Sequence, residues 1–416
     1  MSKPFLLFRG PVKSMSGYGA HSRDILESLY SMNLFDIKID SCIWGSTPLT
    51  ALSNDNHFHN WIESNILDRL EIRPDIYVQV TVPNEFMSVG LFNIGITAGI
   101  ETTIAPKDWI DGCNKMDLVL VTSEFSKNVL LSTVYDEVEQ NTNRLIQKLR
   151  IIKPIEVLFE GVNNEIFNDR YGNFDLDIKE DFSFLFVGHW LKGVLGEDRK
   201  NVGMLIKTFS NTFKNYKNPP SLILKTSSAT FSIKERENIR QKIKDLVRDI
   251  ENPPSIYLLF GELTDNEMNN LYNHPKVKCM VSFTKGEGFG RPLLEFSMTG
   301  KPIIVSNWSG HKDFLPEDLS ILLSGKLTEV HENTIDNFII KESKWFTVDY
   351  ENAGKVFEMV KTNYDEYLNK SIKLKNINKE KFSMLKMTER FVEILKPIID
   401  RPIEKKLKLP ELKKIN

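Results

Sequence analysis

The stretch VKCMVSFTKGEGFGRPLLEFSMTG, residues 277–300, converts a buried apolar run into a helical pattern through a glycine turn and Pro292. VKCMVSFT (277–284) reads as a core strand, and Pro292 suits the first turn of a helix, where a missing N–H removes no hydrogen bond. A turn of this kind aims free backbone N–H groups and the positive helix end at an anion. Glu287 and Glu295 flank it, and Glu295, one turn inside the helix, can accept hydrogen bonds from hydroxyls. One place therefore offers donors for an anion beside carboxylates for hydroxyl groups.

The strand-to-helix cadence continues outward from this stretch. PFLLFRG (4–10), FDIKID (35–40), IYVQV (76–80), LFNIGIT (91–97) and LVLVTS (118–123) are short apolar runs, with helical periodicity over 20–32, 106–115 and 125–133. The pattern restarts with FSFLFVGHW (182–190), SLILKT (221–226), IYLLFGEL (256–263) and, after 277–284, KPIIVSN (301–307). Strands alternating with helices predict parallel sheets and crossover helices. Two rounds predict an α/β chain of two Rossmann-like, doubly wound domains facing an interdomain cleft, with ligands outside the carboxyl ends of the strands. The segment 152–181 turns polar after an apolar start, which places the boundary near residue 170. The expected units are 1–170, 171–375 and a helical segment 376–416 that packs back toward the first domain. The lysines of the closing run RPIEKKLKLPELKKIN read as a solvated helix or terminus, with contact to an anionic membrane surface as the alternative.

Composition narrows the function classes. A chain of 416 residues with 41% hydrophobic and 26% charged residues is globular and long enough for two cores. Lys and Arg number 54 against 56 Asp and Glu, so no global field recruits nucleic acid. Cys42, Cys113 and Cys279 show no paired spacing, which argues against a disulfide framework or structural zinc and fits a reducing, cytoplasmic setting. No apolar run approaches the roughly 20 residues of a membrane span, so a soluble or membrane-peripheral protein is expected.

Three further constellations bear on chemistry. Gly17 and Gly19 precede the first helix in SMSGYGAHSRD, an imperfect dinucleotide fingerprint in which Ser22 stands at the third glycine position and Asp40 is the only acid at the second strand's end. In FVGHWLKGVLGEDRKN, a strand ends at Gly188 and Arg199 and Lys200 open the next helix, where their charge opposes its dipole and implies a nearby anion. Lys225 ends the following strand. SNWSGHKDFL (306–315) adds Ser309 and Gly310 as turn donors, with His311 and Asp313. His57 and His59 lack a matching acid cluster and read as surface or core histidines, and no set of ligands for a metal emerges. A nucleotide sugar, with its diphosphate and polyhydroxylated rings, complements these groups.

VGHW with RKN, YLLFGELTDNEMNNLY, GEGFGRPLLE and KPIIVSNWSGHKDF together resemble, in order and spacing, the retaining glycosyltransferases of family 4, of the GT-B fold. VLFEGVNNEIF and TSEFSKNVL extend the resemblance into the first half. It implies an N-terminal acceptor domain, a C-terminal donor domain, and metal-independent transfer from a UDP or GDP sugar to a glycan, lipid-linked or protein acceptor. Glu287 would lie against the donor sugar with the backbone of Gly288, Phe289 and Gly290, near Arg291, and Glu295 would hold the nucleotide ribose. Lys200 would hold the diphosphate. His189 stands where the family commonly has arginine, leaving Arg199 as the replacement cation. Gly17 and Gly19 match the glycine loop that approaches the phosphates and acceptor. Many relatives place a histidine at the end of an N-terminal strand. NIGITAGIETT has none, and Glu101 is its nearest polar residue, as a sugar- or acceptor-positioning group or as a structural one. A GT-B sugar-nucleotide epimerase and an inactive nucleotide-sugar-binding protein remain as alternatives.

Overall fold

The computed structural model describes residues 3–139, 145–191, 195–228 and 231–400, and the lysine-rich run 401–416 lies outside them. The first domain runs through β1 (Phe5–Gly10), α1 (Gly17–Met32), β2 (Asp36–Ser41), α2 (His57–Ser64), β3 (Ile76–Val80), β4 (Phe92–Thr97), α3 (Lys107–Asn114), β5 (Leu118–Val121), α4 (Glu124–Ser132), β6 (Tyr135–Val138), β7 (Leu145–Leu149) and β8 (Ile155–Val157). The second comprises β9 (Ser183–Val187), α5 (Val202–Phe213), β10 (Ser221–Lys225), α6 (Ile233–Val247), β11 (Ile256–Leu259), α7 (Asp265–Asn273), β12 (Val277–Ser282), α8 (Arg291–Ser297), β13 (Ile303–Ser306), β14 (Ile321–Leu323), β15 (Gly325–Glu329) and β16 (Lys344–Val348). The helices α9 (Tyr350–Thr362), α10 (Tyr364–Lys381) and α11 (Met384–Ile399) follow.

Each domain is built on a six-stranded parallel sheet. The first has the order β2-β1-β3-β4-β5-β8 and the second β11-β10-β9-β12-β13-β14. Because both faces of a parallel sheet are covered, its strands read as continuous apolar runs, and IYVQV is buried at every position. The order reverses between β1 and β3 in one sheet and between β9 and β12 in the other. Those reversals open crevices at the carboxyl ends of the strands, where ligands bind in such folds. The crevices face each other.

The expected sheet strands are present, and the structure adds others: the sixth strand of each sheet, β8 and β14, the short helix α2 and the antiparallel pairs β6–β7 and β15–β16. The β6–β7 pair is mostly exposed, so its sequence carries no burial signal. Gly17 and Gly19 lie inside the first turn of α1, capped by Ser16, whose hydroxyl accepts from the Gly19 N–H. Arg199 and Lys200 sit in the turn before α5, which starts only after Asn201 in a left-handed conformation.

The chain returns to its beginning. Met387, Phe391, Ile394 and Leu395 of α11 enter the same core as Leu6, Phe8, Ile25, Leu26 and Leu29, and the Ser28 and Thr388 hydroxyls meet at 2.9 Å. The periodicity of α11 is therefore satisfied by the first domain, across a crossing from α10. No helix among the described residues is long and apolar enough to cross a membrane. Phe391→Ala should cost about 3–5 kcal/mol in urea denaturation and speed hydrogen exchange in α1. Unchanged exchange there would mean that α11 does not support the first domain.

Candidate active site

The loop after β12 meets the first domain backbone to backbone. A Cβ on Gly288 would lie 1.9 Å from the Ala98 carbonyl oxygen, and one on Gly286 would lie 2.0 Å from that of Glu101. Only glycine permits this approach. The Gly288 carbonyl accepts a hydrogen bond from the Ser123 hydroxyl at 2.6 Å, and Ser123 also caps α4. Trp308 packs edge-on against Phe125, and the Asp313 carboxylate accepts from the Glu124 N–H at 2.8 Å. The residues of SNWSGHKDF thus serve partly as interdomain contacts, while His311 is buried with Nε2 2.7 Å from the Ser306 carbonyl.

This loop is folded from within by few contacts. The Glu287 N–H donates to the Ser309 hydroxyl at 2.9 Å, and the Gly310 N–H donates to the Glu287 carbonyl at 2.9 Å. Gly290 takes φ +98 immediately before α8. Phe289 turns its ring into the core against Phe314 and so presents only its backbone to the cleft. The N–H groups of Gly288, Phe289 and Gly290 find no acceptor among the described residues. Buried N–H groups without acceptors are what an incoming oxyanion or sugar oxygen can satisfy.

Glu287, Lys200, Arg199 and Glu101 come together across the cleft. Lys200 donates to one Glu287 oxygen, and Arg199 lies 3.5 Å from the other while bonding the Gly286 carbonyl at 2.9 Å. Arg199 also reaches Glu101 of the first domain at 3.1 Å. Burial alone opposes charge on Glu287, but Lys200 and Arg199 outweigh it and hold the carboxyl down at about 2. Burial lowers the Lys200 ammonium despite Glu287, and it raises the Glu101 carboxyl despite Arg199. The anion that the basic pair implied is, in this structure, Glu287 with Glu101.

Around α8 a second network forms. Arg291 donates through Nε to Glu295 at 2.8 Å, pairs with Asp24 of α1, and lies 3.9 Å from Glu160 of the interdomain crossover. The Tyr272 hydroxyl donates to the other Glu295 oxygen at 3.2 Å. Burial pushes Glu295 up to about 7 and Glu160 up to about 8, with Arg291 opposing in both cases. His189 lies at the end of β9 with Nδ1 3.2 Å from the Ser227 hydroxyl, and Lys225 donates to the Gly261 carbonyl at 2.6 Å. Gly19 is confined by the Ser14 carbonyl, 2.1 Å from a built Cβ, whereas Gly17 is unconfined. Asp40, the acid of the imperfect dinucleotide fingerprint, is paired with Arg9.

Sequence reading missed Asp24, Glu160, Tyr18 and Ser123. Tyr18 bridges the glycine turn to the cleft, its hydroxyl 2.9 Å from that of Thr97 and accepting from the Ala98 N–H at 3.2 Å. A signal for Asp24 existed: Arg291 opens a helix, where a cation is unfavourable unless acids answer it.

Two doubly wound domains meeting through the carboxyl ends of their strands define a protein of the GT-B class. Residues 179–335, most of the second domain, match the family model described as Glycosyl transferases group 1. No curated protein matches the sequence. Similar solved structures include Anabaena HepE in complex with UDP and glucose, at TM-score 0.60 and 11% identity, covering 95% of this chain and 100% of that one. A glycosyltransferase from Rickettsia africae gives 0.60 and 14%, covering 97% and 100%. Sucrose-phosphate synthase from Thermosynechococcus elongatus gives 0.62 and 12%, covering 95% and 99%. At such identities the likeness concerns the fold.

Two outcomes follow from this geometry. Gly288→Val should hold the domains apart, seen as a larger radius of gyration in solution scattering, and an unchanged radius would refute the close contact. The Glu287 ion pairs contribute stability above the unfolded carboxyl value of 4.5, lost as pH falls through about 2. Glu160 works in the opposite direction: its contribution is full below 4.5 and declines as pH rises through about 8. Glu160→Gln should therefore flatten the loss of denaturation midpoint between about pH 5 and 8; an identical slope would contradict the assignment.

Proposed function

We propose that the protein is a retaining, metal-independent glycosyltransferase that moves a hexose from a nucleoside diphosphate sugar to an acceptor hydroxyl on a glycan, a lipid-linked carrier or a protein. The observation that carries this reading is the Lys200–Glu287–Arg199 cluster beside three acceptor-free backbone N–H groups at the β9/β12 crevice. The match to the group 1 family model supports transfer chemistry, and the UDP and glucose named for HepE make UDP sugars the first donors to try, with GDP sugars next.

In the proposed reaction the diphosphate takes Lys200 and Arg199 in place of Glu287 and Glu101. Glu287 is then free to accept hydroxyls of the donor sugar, and the loop N–H groups face the oxygens that gain charge. The bond between the anomeric carbon and the phosphate oxygen breaks, and the bond to the acceptor oxygen forms on the same face. The acceptor's proton passes to the departing phosphate, so no carboxylate base is needed. Fixed cations stabilise the leaving group and the closed cleft orients both substrates.

Lys200→Ala and Glu287→Ala should each lower kcat by about a hundredfold or more, measured by nucleotide release from UDP-glucose or GDP-mannose with an acceptor mixture. Each single variant leaves a buried charge with fewer partners, so the double variant should regain stability while staying inactive. Near-normal transfer by both single variants would overturn the site. Conversion of the nucleotide sugar without acceptor would mark an epimerase, saturable binding without turnover a binding protein, and an inverted anomeric signal in the product would refute retention.

A further inference from the structure

Three carboxyl groups surround the Arg291 guanidinium, and one of them has no hydrogen bond. Asp24 and Glu295 both accept from Arg291, but the nearest Glu160 oxygen stands 3.9 Å from Nη1, beyond hydrogen-bond length. No other donor reaches Glu160 among the described residues, and its side chain is only 8% exposed. Burial keeps this carboxyl protonated near neutrality, with its value up at about 8, so it can donate one hydrogen bond as well as accept. A buried polar group left in this state is costly unless a ligand or water completes it.

Its neighbours point to the donor site. Glu160 lies within electrostatic reach of both Glu287 and Glu295, and of the Tyr18 phenol on the glycine turn. His21, one turn before Asp24 on α1, is fully buried, and neither Nδ1 nor Nε2 has a partner. Burial, aided by the charge of Arg291, holds this imidazole neutral with its value down at about 3. An imidazole with no partner on α1 and a carboxyl with no hydrogen bond in the crossover thus both lie within electrostatic reach of one arginine of α8.

We propose that Glu160 is a third donor-recognising carboxyl, which exchanges hydrogen bonds with a hydroxyl of the nucleotide sugar beside Glu287 and Glu295. Arg291 is a positioning residue that orients Glu295 through its Nε hydrogen bond and leaves the Glu160 carboxyl free for the ligand. This rests on the glycosyltransferase reading. The hydroxyl belongs to either the ribose or the hexose, which share one chemistry.

The test uses the full chain, with calorimetry and thermal shifts in UDP, 2′-deoxy-UDP, UDP-glucose, GDP and GDP-mannose. Glu160→Leu should weaken binding of the recognised nucleotide sugar at least about tenfold while its melting temperature without ligand stays level or rises, because a buried carboxyl without a partner is removed. Glu160→Gln, which keeps a donor and an acceptor, should bind within about threefold of the parent. A loss seen already with UDP, and absent with 2′-deoxy-UDP, assigns the ribose; a loss confined to the sugar nucleotide assigns the hexose. Parent-like binding by Glu160→Leu overturns the proposal, as does a glutamine variant as weak as the leucine one, or an effect confined to the acceptor KM. If the parent chain binds none of the five probes, the glycosyltransferase reading itself falls and this proposal with it.

Discussion

A carboxylate sealed between two domains stays charged only if cations are sealed in with it, and Glu287 imposes that condition on the whole cleft. Lys200 and Arg199 meet it because β9 and β12 are neighbours in the second sheet, so the turn that follows one strand lies beside the loop that follows the other. Arg199 carries the condition across the cleft to Glu101. The glycines at 286 and 288 then allow the first domain to close until carbonyl oxygens touch the loop. Strand order, charge pairing and glycine placement are one solution to one electrostatic problem.

Much of this is legible in the sequence because parallel strands buried on both faces leave continuous apolar runs, and because turns into helices must use Gly and Pro. Five strands of each sheet belong to that legible part, whereas the three-residue outer strands β8 and β14 do not. Exposed pairing leaves no such mark, so β6–β7 and β15 have no signature, while β16 buries Trp345, Phe346 and Val348 in a run too short to stand out. Nor does tertiary return: α11 looks like any amphipathic helix, and nothing in its own residues says that its apolar face fits α1.

The network around Arg291 illustrates a different limit. Arg291 and Asp24 are 267 positions apart, and no local pattern links them. Yet a cation at a helix start wants an anion at Arg291 as much as at Arg199 and Lys200. Asp24, Glu160 and Glu295 meet that want from three separate elements.

Together the two networks place five carboxyls, Asp24, Glu101, Glu160, Glu287 and Glu295, against three cations, Arg199, Lys200 and Arg291. Fully ionised, this group would repel an incoming diphosphate. Burial relieves the excess by keeping the proton on Glu160 near neutrality and leaving Glu295 close to its midpoint. In the proposed reaction, a diphosphate that takes Arg199 and Lys200 releases Glu101 and Glu287 from their cations. Glu287 finds new partners in sugar hydroxyls, but Glu101 belongs to the other domain, and its loss of Arg199 removes an ionic tie across the cleft. Donor binding thereby exchanges a contact between protein groups for one through the ligand, so the closed cleft would depend on what lies inside it.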